Sequence, residues 1–121
     1  MFQYLHVKPM ADLPPPPFSG PFSVAIVVDA SVTDDWRTRV CDWLALAGCR
    51  FLSSWGVDAS GWDYAMDWAN IAMFEPGAIP DEHFILTTWA TDESLPEFLD
   101  AFQCVGRLKK RHIEKQLVLH I

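Results

Sequence analysis

Residues able to do chemistry are spread unevenly along this sequence. Asp29, Asp34, Asp35, Asp58, Asp63, Asp92 and Glu93 supply carboxylates, and general acid–base work would need two of them with pKa values driven apart. The four histidines, His6, His83, His112 and His120, lack the close spacing of a zinc site. His120 stands out because it ends a strand near the chain terminus and could reach Asp92. Ser31, Ser54, Thr87 and Thr88 are the hydroxyls nearest that edge, and none lies in a G-x-S-x-G elbow. The segment Asp29-Ala-Ser-Val-Thr-Asp-Asp35 puts acids where a phosphate loop needs glycines and free amides. Asp29 and Asp92 are the oxygen ligands a magnesium-bridged phosphate would use; no metal and no cofactor is expected. Cys41, Cys49 and Cys104 cannot all pair and have no C-x-x-C spacing, so they read as reduced, buried thiols.

Composition narrows the classes further. The chain has 121 residues, half of them hydrophobic, with 16 acids against 9 bases and a formal charge of −7. That length supports one core. The acidic balance argues against nucleic acid, whose phosphates demand clustered Lys and Arg. Neither a membrane-spanning apolar run nor a basic, apolar leader is evident, which predicts a cytoplasmic protein.

The elements that must position these groups follow from periodicity. Residues 1–21 hold six of the nine prolines, four as the run Pro14–Pro17, and read as an extended arm lying along the domain. Phe2, Tyr4, Leu5 and Val7 could add a short edge strand ahead of that run. Residues 22–121 form a single α/β domain. Ser23–Ala30, Arg50–Trp55, Phe84–Trp89 and Gln116–Ile121 read as strands. A first helix starts at the Thr33 cap and stops at Gly48. A second runs from Ser60 to about Phe74, and a third opens on the capping box Ser94-Leu-Pro-Glu97. The alternation β-α-β-α-β-α-β predicts a three-layer sandwich around a mainly parallel four-stranded sheet of order 2-1-3-4, Rossmann-like but without a phosphate loop. That order would open a crevice between the first and third of these strands.

On this frame, Trp36, Trp55, Trp62 and Trp89 gather at the carboxyl edge of the sheet with Asp58, Asp63 and Asp92, while Trp43 and Trp68 lie mid-helix as core. Two readings of the edge stand side by side. Acids at helix N-termini complement the macrodipole and indoles close the sheet ends; or indole faces and carboxylates form a surface for a cationic or aromatic group.

The segments Trp55-Gly-Val-Asp58, Trp62-Asp63, Asp67-Trp-Ala-Asn70, Thr87-Thr-Trp89 and Leu119-His-Ile121 resemble a family of short uncharacterised bacterial proteins, a domain of unknown function, over about residues 22–121. The resemblance implies a bacterial, cytosolic origin and assigns no activity. The sequence favours a non-catalytic binding or regulatory module that meets a basic protein partner through Trp36, Trp55, Asp58, Trp62, Asp63, Trp89 and Asp92. The alternatives are an enzyme or small-ligand sensor using Asp29, Asp92 and His120, and a homo-oligomer formed through an exposed edge strand.

Overall fold

The computed structural model describes residues 2–105 and 113–121. Five strands form one parallel sheet: β1 (Phe2–His6), β2 (Phe22–Val28), β3 (Cys49–Gly56), β4 (Leu86–Trp89) and β5 (Lys115–His120). Among the described residues three helices connect them, α1 (Asp34–Ala47), α2 (Ala59–Ala72) and α3 (Leu95–Val105), with a 3-10 turn at Asp81–His83.

Local chemistry explains the helix boundaries. The Thr33 hydroxyl accepts from the Trp36 N–H at 3.2 Å, and α1 ends at Gly48 with φ 114°, a left-handed cap closed by its own N–H. Ser94 and Glu97 form the reciprocal capping box that starts α3, each side chain accepting the other's main-chain N–H at 3.3 Å.

The strand order is β1-β5-β2-β3-β4. In the count of the four predicted strands this is 4-1-2-3, which corrects the expected 2-1-3-4 order and adds a fifth strand at the amino end. Burial accounts for the difference. Every residue of β2 is buried, as are Gln116 to Leu119 of β5, so these two apolar strands sit together at the centre. The short, threonine-bearing β4 has no buried residue and forms one edge. β3 therefore lies between β2 and β4, and the crevice expected between them does not exist. The chain steps outward twice, from β2 to β3 to β4, and then α3 carries it back to the far side of β2.

Side chains of opposite pleat face two cores. Val24, Ile26, Val28, Leu52, Leu117 and Leu119 pack with Trp36, Val40, Leu44, Trp62 and Met66 of α1 and α2. Ala25, Val27, Phe51 and Val118 pack with Phe98 and Phe102 of α3 on the other face. The proline-rich segment is tied to the first layer: the indole N–H groups of Trp36 and Trp43 donate to the Ala11 and Pro14 carbonyls, both at 2.9 Å. Phe18 and Val7 are buried beneath it.

Two core expectations need correction. Trp68 is 53% exposed, because it lies on the face of α2 turned away from Trp62 and Met66. Cys104 is exposed near the end of α3, unlike the buried Cys41 and Cys49. The basic run Arg107, Lys109, Lys110 and Arg111, with His112, lies outside the described residues. Among the described residues no helix is long and apolar enough to cross a membrane.

Candidate functional site

The direction of the chain reverses between β2 and β5, and in open α/β sheets the carboxyl ends at such a reversal frame ligand sites. Asp29 follows β2 there and His120 ends β5. β1 completes the place from the far side. Its alternation turns Leu5 and Val7 toward the first core and leaves Phe2, Tyr4 and His6 on the α3 face. Since α3 centres on β2 and β3 through Phe98 and Phe102, it leaves that face of β1 open, with Phe2 54% and Tyr4 57% exposed.

The result is a groove of about 330 Å³ between β1 and α3. Val27 and Val118 form its floor, Phe2 and Tyr4 one wall, Leu95 and Leu99 the other, and Asp29 and His120 its polar end. His120 links the polar groups. Its Nε2 is paired with Asp29 Oδ2, its Nδ1 lies 2.7 Å from the Tyr4 hydroxyl, and the His6 ring stacks on it at 4.5 Å between centroids. Asp29 fixes the imidazole, as a carboxylate does in an oriented base. With neutral His120 protonated at Nε2, Tyr4 donates its proton to Nδ1 and offers oxygen lone pairs to the groove. With imidazolium, the Nδ1–H would instead donate to the Tyr4 oxygen.

Of the three residues of the enzyme alternative, the fold joins Asp29 and His120 only. Asp92 follows β4, two strand spacings or about 10 Å of sheet from β2. The binding set is likewise divided. Trp36 and Trp62 are core residues, 2% and 0% exposed. Trp55 is half-buried and donates to the Glu93 carbonyl at 2.8 Å, whereas Trp89 is 49% exposed at the end of β4. Asp92 is exposed in the following loop. There the main-chain N–H groups of Glu93, Thr91 and Asp92 hold the Glu93 carboxyl below the usual carboxylate range. Asp58 precedes α2 in a left-handed conformation and pairs with Arg37, which also meets Asp34 at 2.9 Å. Arg37 lines a further hollow of about 240 Å³ between the N-termini of α1 and α2, where its guanidinium is paired with two carboxylates. Asp63 is only 7% exposed and its Oδ2 has no partner; burial, then the nearby Asp67 carboxylate, push its pKa up, partly opposed by Thr87.

The edge strand expected at Phe2, Tyr4, Leu5 and Val7 stands as β1, but Phe2, Tyr4 and His6 are absent from the expected site residues because the arm was set apart from the domain. The signal present was their period of two, aromatic and imidazole on one side, Leu5 and Val7 on the other. No curated protein and no solved structure matches the chain. A family model does match, over residues 2–121 and so including the proline-rich segment: the chain belongs to the family described as a domain of unknown function (DUF7684).

Proposed function

We propose that this chain is a small-ligand-binding module, and that its ligand has an apolar body and a cationic head. The observation that carries the reading is the Asp29–His120–Tyr4 chain set at the end of a largely apolar groove. The volume lies at the small end of ligand pockets, enough for a single ring with a short side chain. The exposed carboxylate of Asp29 and the ring faces of Tyr4 and Phe2 favour an ammonium group, and the −7 charge of the chain draws cations toward it. The helices on both sheet faces, with acids in place of a phosphate loop, fit a Rossmann-like layering adapted to something other than a nucleotide.

Phenethylamine, phenylacetate and the hydrocarbon ethylbenzene separate the contributions of head and body. The amine is expected to shift the amide resonances of Val27, Val118 and His120 in a titration followed by NMR. Asp29→Asn should weaken it about tenfold, the scale of one charge-assisted contact, and Leu99→Trp should fill the groove and abolish binding. Equal binding of phenylacetate, or amine shifts unaffected by Leu99→Trp, would refute the assignment.

A further inference from the structure

We infer that the flank formed by β4 and the outer face of α2 docks an extended basic segment of another polypeptide, which joins the sheet as a sixth strand. This surface is separate from the groove and does not depend on it. β4 is the last strand of the sheet. Ala90 N–H donates to Ser54 O at 2.8 Å, so by the alternation of a parallel ladder the N–H and C=O groups of Thr87 and Trp89 point away from the sheet. Edge strands are ordinarily blunted by brevity, Lys, Pro or a bulge, and Leu-Thr-Thr-Trp is short but carries no Lys, Pro or bulge. Large apolar groups flank the open edge: Leu86 and Trp89 on the strand, Tyr64, Trp68 and Ile71 on α2, all more than a third exposed. The hydrogen bond from Thr87 to Asp67 at 2.8 Å holds this side of α2 over β4.

Charge selects the occupant. From Phe51 to Gly106 the sequence has no Lys or Arg and ten of the 16 acids. Asp81 and Glu82 precede β4, Asp92 and Glu93 follow it, and Asp67 with the buried Asp63, whose Oδ2 has no partner, lies on α2 beside it. Two copies meeting here would set these acids against themselves, whereas a segment alternating basic and apolar residues matches both the charge and the pleat.

The test uses the whole chain and a synthetic seven-residue peptide alternating lysine with valine and leucine, beside its glutamate counterpart and a version with proline at the centre. The basic peptide should bind, slow hydrogen exchange at the Thr87 and Trp89 amides, and lose affinity as NaCl rises from about 50 to about 500 mM. The exposed double variant Glu82→Lys/Asp92→Lys should weaken it at least about tenfold. Equal binding of the glutamate peptide, undiminished binding of the proline version, or affinity unchanged in the double variant would overturn the inference. So would a concentration-dependent dimer of the free chain in which the Thr87 and Trp89 amides are already protected.

Discussion

Asp63 offers the sharpest test of the energetics. It sits on α2 against β4 with one carboxylate oxygen buried and unpaired and the Asp67 carboxylate nearby. A buried acceptor left without a partner costs about 1–3 kcal/mol. In D63N the charge disappears and the new amide N–H₂ can donate toward Asp67, so at neutral pH the variant should be more stable by about 1 kcal/mol. For a domain of this size that raises Tm by about 3–6 °C. The sign with pH follows from linkage: a raised carboxyl pKa means that the folded chain holds the proton more tightly than the unfolded one. Wild-type stability from this group is therefore full below the ordinary value of 3.8 and is lost as pH rises through the elevated folded value. The advantage of D63N should be greatest near neutrality and shrink as pH falls toward 3.8. Thermal unfolding followed by circular dichroism from neutral to acid pH reads both effects. A D63N chain that melts lower at neutral pH, or one whose gain is the same throughout, would refute the account.

Two further outcomes follow from the packing. W43F removes the indole N–H that holds the Pro14 carbonyl; it should cost about 1 kcal/mol and speed proteolytic cleavage within residues 8–21, whereas unchanged cleavage would mean the strap is held by other contacts. Cys41 is buried, and that burial, reinforced by Cys49 and Asp42, pushes its thiol well above the usual range, while Cys104 is exposed. Labelling of the native chain with a thiol-reactive chromophore should therefore show a single fast thiol that Cys104→Ser abolishes.

Local chemistry was readable in the sequence and pairing was not. Thr33, Gly48 and the Ser94–Glu97 box each specify a helix end through hydrogen bonds within a few residues, and all three stand where expected. Strand neighbours are chosen by contacts between distant segments, so the expected order differs from the observed one although its clue is present: β2 is apolar at every position but Ser23 and belongs at the centre, whereas Leu-Thr-Thr-Trp belongs at an edge. The same limit governs the site. Asp29 and His120 were both visible as candidates, but their meeting depends on β5 lying beside β2, and Asp92 was chosen with them on the strength of the other order. Trp36 looked like an edge indole because nothing local says that residue 11 folds over it.

The position of β5 between β1 and β2 has a consequence for biosynthesis. The groove draws on Phe2 and Tyr4 and, more than a hundred residues later, on Val118 and His120, so it cannot form before residues 115–120 have left the ribosome. Until residues 115–120 arrive, β2 exposes an unpaired, largely apolar border and β1 has no neighbour to join. Insertion of β5 closes that border and completes the groove in the same event, and a chain stopped short of Lys115 would be a substrate for chaperones or proteases.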